Sequence, residues 1–429
     1  MTRTAPIAAA LLLPSCLAPP ARPPGRQDPA GEHRVWLVMV FMNADSGGDS
    51  HEWVLMDDLE EMDSSARPGP VHLVLQASRC GIVAYDGAWK GTRRYYVDGM
   101  GGREPDRFGG LRIGDPPGPV DPSDGDALVA FATWAAERYP ADRRMLVVEA
   151  HGSGWRGLSP CDIQHDPGCL ITIPDGELAR AIGRIDEAFP LDVVALDACL
   201  MGMWEVGFAL AGTVPYAVTS QEMGGPLLGS WHDLLPRLAR GPDDPRDVCA
   251  SIPAMLAGER TRANSATRSC VDLSRHASLT GAVDDLAREA LASPGATGSL
   301  RSAVLGALHF AKPAHRDLGD IAARIAEDEG APGEIREAAR KVLDALGSYV
   351  VAHESSPFVG VGNSHGVCGG QGEWGTCDRS TGVAIWAPVG GAEDLMPLYA
   401  AGPWSATLWD EAIRAIAPRT PLLASPEVE

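Results

Sequence analysis

Short apolar runs rich in branched side chains recur along this chain, each followed by helical periodicity, and that alternation constrains the fold more than any other feature. "VWLVMVFM" (Val35 to Met42) and "VHLVLQA" (Val71 to Ala77) read as buried strands. Between them Trp53, Met56, Leu59 and Met62 mark one face of a helix. The pattern then repeats: a helix over 127–139, the strand "RMLVVEA" (Arg144 to Ala150), a helix over 175–189, and the strand "LDVVA" (Leu191 to Ala195). After Cys199, the residues Leu200, Met203, Val206 and Leu210 recur at helical spacing up to Gly212, and "YAVTS" (Tyr216 to Ser220) is strand-like again. Apolar strands alternating with helices predict an α/β fold, a mainly parallel sheet flanked by helices on both faces. Ligands of such sheets gather at the C-terminal ends of strands. Residues 272–353 read as largely helical, and "GVAIWAP" (Gly382 to Pro388) as a late returning strand.

The 429 residues are 45 % hydrophobic and 22 % charged, a globular composition with enough chain for one large domain or two ordinary ones. A formal net charge of −21 sets the chain against nucleic acid and anionic membrane surfaces as partners. It favours cationic substrates through an attraction screened beyond about 8 Å at physiological salt. No stretch approaches the roughly 20 apolar residues of a membrane span. The opening "MTRTAPIAAALLLPSC" has a basic Arg3, an apolar core from Ile7 to Leu13 and a lipobox-like Leu-Pro-Ser-Cys. Residues 1–16 are therefore expected to be a signal peptide of lipoprotein type, with Cys16 becoming a lipid-modified N-terminus. Pro14 and the short apolar core leave an ordinary secretory signal or a flexible tail as alternatives. Residues 17–31 hold five prolines and read as a tether. The expectation is an exported monomer, in the cell envelope or secreted, that meets a membrane only through a lipid anchor. Residues 32–270 would form the α/β core and 271–429 a C-terminal helical elaboration with the returning strand.

Of nine cysteines, Cys161 with Cys169 and Cys368 with Cys377 sit at short separation in Gly/Pro-containing loops and are candidate disulfides. Cys249 with Cys270 is a third candidate pair, and Cys80 is left over. Small buried residues without bridges are the alternative, because spacing does not fix connectivity.

Two strand ends carry the polar residues that matter. One is "VVEAHGSGW", in which His151 precedes Gly152; the other ends in Asp197, Ala198 and Cys199. Cysteine-based acyl transfer needs a thiolate, a base in hydrogen-bond reach and amide donors for the oxyanion. A thiol at a strand-to-helix turn sits where helix N-terminal amides favour the thiolate. The glycines after His151 let backbone N–H groups approach a scissile carbonyl, which makes the amides of Gly152 and Cys199 the natural oxyanion donors. Strand alternation projects Asp197 and Cys199 to one side, about 7 Å apart. There the carboxylate either binds a cationic side chain or steers the imidazole. A lone His before a Gly-rich turn, or a lone Cys in a buried turn, is otherwise structural.

"HGSGW" together with "DACLMGMWE" resembles the paired signature of clostripain-like cysteine peptidases, relatives of caspases and gingipains. The similarity extends through "VMVFMNAD", "DDLEEM", "GTRRYYV", "YAVTSQEMGG" and "TGVAIWAP", covering residues 35–416. It implies a caspase-like core and a cysteine endopeptidase that cleaves proteins or peptides after Arg or Lys through a thioacyl-enzyme. It further implies His151 as general base, Cys199 as nucleophile and Asp197 as the lining of an acidic pocket, with Glu222 near its second wall. The chain departs from the family in carrying Glu149 and Ala150 before His151 and "TSQE" where "ASEE" is common. Between the His and Cys motifs the basic residues are Arg156, Arg180 and Arg184, the latter two on an expected helix, so family-style self-cleavage there is not expected. Some relatives need calcium, and the acidic loops 43–50 and 121–126 offer carboxylates for it; solvated turns are the alternative, since neither continues as an EF-hand. No HExxH zinc-peptidase motif occurs. The rival reading is a catalytically inactive, peptidase-like surface lipoprotein that serves as a binding module.

Overall fold

The computed structural model describes residues 27–44, 51–81, 89–100, 108–159, 169–224, 227, 230–241, 243–255, 267–355, 377–390 and 393–417. The strands in chain order are β1 (Arg34–Ala44), β2 (Val71–Arg79), β3 (Gly91–Tyr96), β4 (Leu111–Arg112), β5 (Ala141–Glu149), β6 (His151–Gly152) and β7 (Gly157–Ser159). They continue with β8 (Ile171–Thr172), β9 (Val193–Asp197), β10 (Tyr216–Thr219), β11 (Thr267–Asp272), β12 (His315–Asp317), β13 (Val350–Ser355) and β14 (Ala384–Trp386). The helices are α1 (His51–Ser65), α2 (Gly125–Arg138), α3 (Glu177–Ala188), α4 (Trp204–Leu210), α5 (Trp231–Leu238) and α6 (Pro245–Ala254). The C-terminal part adds α7 (His276–Leu291), α8 (Pro294–Gly306), α9 (Leu318–Glu327), α10 (Gly333–Tyr349), α11 (Met396–Tyr399) and α12 (Trp409–Ile416).

Among the described residues nine strands form one sheet, in the order β13-β11-β10-β9-β5-β1-β2-β3-β4. The five middle strands, β10, β9, β5, β1 and β2, run parallel. Antiparallel strands close both edges. β1 shows why the apolar runs were legible: Leu37, Met39 and Phe41 enter one core, while Trp36, Val38, Val40 and Met42 enter the other. A strand buried on both faces has no polar side to show, and each such side chain contributes about 1.5–3 kcal/mol. α1, α5 and α6 cover one face; α2, α3, α4 and the helices after β11 cover the other. The chain builds outward from β1 to β2, then from β5 through β9 to β10. The direction reverses between β1 and β5, which brings the C-terminal ends of β5 and β9 beside the switch point, where such sheets bind ligands.

Several expectations change. The late strand does not return to the central sheet: β14 pairs with β12 in a separate two-stranded ribbon, and the Ala384 amide donates to the Gly202 carbonyl at 2.7 Å. The strand that does join the sheet from the C-terminal part is β13, against β11, so a boundary at 270 falls inside β11. The helix after Cys199 starts only at Trp204. Residues 200–203 instead cross the end of β10, with the Leu200 amide donating to the Glu222 carbonyl and the Gly202 amide to the Ser220 carbonyl. The last tether residues are docked: Asp28 accepts from Tyr139 Oη at 2.8 Å and pairs with Arg138. Cys249 and Cys270 form the disulfide that ties α6 to β11. Cys169 and Cys377 are also disulfide-bonded, while Cys161, Cys368 and Cys16 lie outside the described residues. Cys80 donates to Glu52 Oε2 at 3.1 Å.

Candidate active site

β5 and β9 are parallel neighbours whose register ends at Glu149↔Asp197, and His151 and Cys199 each follow two residues beyond that last pair. The Ala150 amide donates to the Asp197 carbonyl at 3.3 Å, carrying the ladder past the strand ends. Gly152 then packs on the backbone of Cys199. A Cβ at position 152 would stand 1.8 Å from the Cys199 carbonyl oxygen and 2.8 Å from its amide nitrogen. The glycine is therefore required by a close backbone approach. His151 and Cys199 are both half-buried, and Leu200, just after the cysteine, adopts a left-handed φ of 65°, strain that holds the turn in one shape.

The helix-terminus activation expected for the thiol is absent, because no helix begins at Cys199. Burial pushes the Cys199 thiol up; the Gly224 amide, donating to Sγ at 3.1 Å, pulls it down, and the carboxyls of Glu222 and Asp197 push it up again. Glu222 is buried, accepts from the amides of Met223 and Ala311 through Oε1, and is raised by burial to about 7.

Asp197 and Cys199 do not share a side. Asp197 belongs to the face of Val193 and Ala195 under α1 and α5, whereas Cys199 packs against the opposite core. Strand alternation stops at Asp197, where the chain turns through the bond from the Ala198 amide to the Leu196 carbonyl. Under the site, Asp197 joins Asp58 of α1 and Glu149 of β5, with carboxylate oxygens within 4.8 Å of one another and all three residues buried. Burial, and then the neighbouring carboxyls, raise Asp58 and Glu149 well above the usual carboxylate range. Neither oxygen of Glu149 has a hydrogen-bond partner among the described residues. Leu227 donates its amide to Asp197 Oδ1 at 3.0 Å. Arg268 of β11, fully buried, faces the same group: burial lowers it to about 10, and the charges of Asp197, Asp58 and Glu61 hold it up.

Asp58, Glu149 and Arg268 were missed by reading the sequence; only the acid ending an apolar run before His151 gave a signal. Of the calcium candidates, Asp121 and Asp124 are engaged in turn and cap bonds and Asp126 pairs with Arg184, while residues 45–50 lie outside the described residues. Among the described residues, the Asp58–Glu149–Asp197 group is the gathering of carboxyls tight enough for a cation, and the charge beside it is Arg268. No described helix is long and apolar enough to cross a membrane.

A mainly parallel sheet between helical layers, with a histidine and a cysteine at neighbouring strand ends, defines the class: a caspase-like cysteine peptidase. The sequence pattern of the clostripain family matches residues 40–304, and the chain belongs to that family as a clostripain-like cysteine peptidase. Its fold is similar to that of an inactive zymogen C11 protease from Parabacteroides distasonis, at 16 % identity and a TM-score of 0.63 over 87 % of this chain and 98 % of that one. It is also similar to a secreted C11 cysteine protease from Bacteroides thetaiotaomicron in complex with an irreversible peptide inhibitor, at 15 % identity and a TM-score of 0.59 over 87 % and 100 % of the two chains. Another structure of a secreted C11 cysteine protease from that organism, iotapain, gives 14 %, 0.62, 87 % and 99 %. No curated protein sequence matches the chain.

Proposed function

We propose that this peptidase hydrolyses peptide bonds after Arg or Lys with Cys199 as nucleophile and His151 as general base. As Cys199 Sγ attacks the scissile carbonyl carbon, His151 takes the thiol proton. The amides of Gly152 and Cys199 hold the oxyanion, worth about 3 kcal/mol per donor in comparable sites. His151 then gives the proton to the leaving nitrogen, the C–N bond breaks and a thioester remains. Water attacks the thioester while His151 takes its proton; the C–S bond breaks and the proton returns to sulfur. The observation that carries this reading is the contact of Gly152 with the Cys199 backbone, which puts the two motifs side by side. Burial, first, and the carboxyls of Glu222 and Asp197 disfavour the thiolate, which is the condition under which a neighbouring base helps the attack. The preference for a basic side chain is supported by the carboxyl of Glu222, which acts on the sulfur, and by the net charge of −21, while Asp197 contributes its charge from beneath the site. Export, with a lipid on Cys16, belongs to the same proposal.

A biotinylated peptidyl acyloxymethyl ketone with Arg at the cleavage position tests it. Labelling should map to Cys199, Cys199→Ala should abolish turnover, and His151→Ala should slow labelling by about 10²–10⁴-fold. Folded wild-type protein that is not labelled, or labelling indifferent to His151→Ala, would leave the binding-module reading instead.

A further inference from the structure

The geometry points to a second binding site, for a small carboxylate with an aliphatic body, in a cavity of about 410 Å³ at the end of the sheet remote from Cys199. The cavity opens at the surface between the end of α1, the start of β2, the residue that follows β3, and α5. The register gives its place. Val71, where β2 begins, pairs with Trp36 of β1, which pairs with Arg143 of β5. The end of β5 at Glu149 lies six residues further on, about 20 Å at 3.3 Å per residue, and His151 lies beyond it. A ligand here touches neither catalytic motif, and the inference does not rest on the peptidase reading.

Leu73, Val97 and Leu235 are buried and make an apolar floor, and the volume falls within the roughly 300–1,000 Å³ of small-molecule sites. Around the mouth stand Arg67, His232 and Arg240, all exposed, and no Asp or Glu is among the described residues that line the cavity. The chain carries 57 acids against 36 Lys and Arg, yet neither of these two arginines has a carboxylate partner among the described residues. Arg67 is already aimed: its Nη1 donates to the carbonyls of Ser64 at 2.8 Å and Ala66 at 2.6 Å. Those bonds offset the negative end of α1 and leave Nε and Nη2 for an anion. Glu61, one turn before Ser65, accepts from the Trp231 amide at 3.3 Å and does not line the cavity. Ser65 Oγ and His232 Nδ1 hydrogen-bond at 2.5 Å, which ties α1 to α5 and holds the two helical walls in place. A carboxylate can take two parallel bonds from a guanidinium while its aliphatic body covers the floor. A bare inorganic anion would leave the floor wet, and a neutral apolar molecule would leave both arginines unused.

Calorimetric titration of the full chain with sodium octanoate, and with sodium acetate as the head group alone, reads this without any turnover. Octanoate should bind once per chain with a Kd below about 1 mM, and acetate should show no saturable binding over the same range. Arg240→Gln, at an exposed side chain with no protein partner to lose, should weaken octanoate by at least about fivefold. Ala239→Phe, at a half-buried position on the cavity wall, should fill the space and weaken it by at least about tenfold. Folded wild-type chain that does not bind octanoate overturns the inference without any variant, so a variant that fails to fold does not protect it. Acetate binding as tightly as octanoate overturns the aliphatic half. An affinity unchanged in folded Arg240→Gln or folded Ala239→Phe places the octanoate elsewhere and overturns the site. Failure of the peptide-labelling experiment at Cys199 would leave this inference standing.

Discussion

Gly152→Ala is the substitution that the geometry makes most decisive. The added Cβ would stand 1.8 Å from the Cys199 carbonyl oxygen and 2.8 Å from the Cys199 amide nitrogen and carbonyl carbon, all backbone atoms that no rotamer change can move. To bring the closest contact to the ordinary 3.4 Å, the two strand ends must part by about 1.6 Å. A displacement of about 1 Å in a reacting pair costs about 100-fold in rate, so kcat/KM should fall by at least about 100-fold. The stability cost of overpacking is smaller, about 1–3 kcal/mol. Peptide-substrate kinetics and chemical denaturation on the same preparation separate the two effects. Gly347→Ala in α10, where a Cβ meets open space, is the control and should keep full activity with equal or slightly higher stability. A Gly152→Ala enzyme within threefold of wild type would refute the claim that these strand ends must touch for the chemistry to run.

Two further outcomes follow from buried groups away from the site. Glu205 of α4 accepts from the Trp386 amide and Tyr399 Oη through one oxygen, and burial raises it to about 7. A native value above the unfolded one gives stability that is complete below about pH 4.5 and is lost as pH rises through about 7. Glu205→Gln keeps the acceptor and removes the charge, so its melting advantage over wild type should grow between pH 5 and 8 by on the order of 3 kcal/mol. An advantage independent of pH would mean that Glu205 does not titrate in this range. Removing the Cys249–Cys270 disulfide as the double Ser variant should cost about 3 kcal/mol in denaturant unfolding, since its sequence separation is 21 residues. A loss under 0.5 kcal/mol would show that the loop it closes is already constrained in the unfolded chain.

The middle strands were legible where both of their faces are buried and apolar, as over Leu73–Leu75 and Met145–Val148. The helix after Cys199 was misread for a related reason. Leu200, Met203, Val206 and Leu210 do fall at helical spacing, and all four are buried. Yet Leu200 is in a left-handed turn and Met203 is extended at φ −117° and ψ 150°. Hydrophobic spacing records burial, and here two different backbone paths bury the same residues. The destination of Ala384–Trp386 was out of reach, because an apolar strand does not say which edge it will pair with. Arg268 was hidden by its type: an arginine in "TRSCV" looks like a solvated residue until the strand around it is known to lie between two others.

What the sequence did carry to the site is an equality of spacing. His151 follows Glu149 by two residues, and Cys199 follows Asp197 by two, on strands that pair Glu149 with Asp197. Both chains leave the ladder just past that pair, and the contact of Gly152 with the Cys199 backbone keeps the two ends together beyond it. The same pair fixes the underside: Glu149 and Asp197 face one way into the carboxyl group with Asp58, while His151 and Cys199 sit at the turn above it. The acid group and the dyad are therefore not independent features. Inserting one residue between Asp197 and Cys199 would leave the fold of β9 and the acid group in place. It would also displace the cysteine from the turn that holds it, where Gly152 contacts its backbone and the Gly224 amide donates to its sulfur, so turnover should fall by at least about 100-fold.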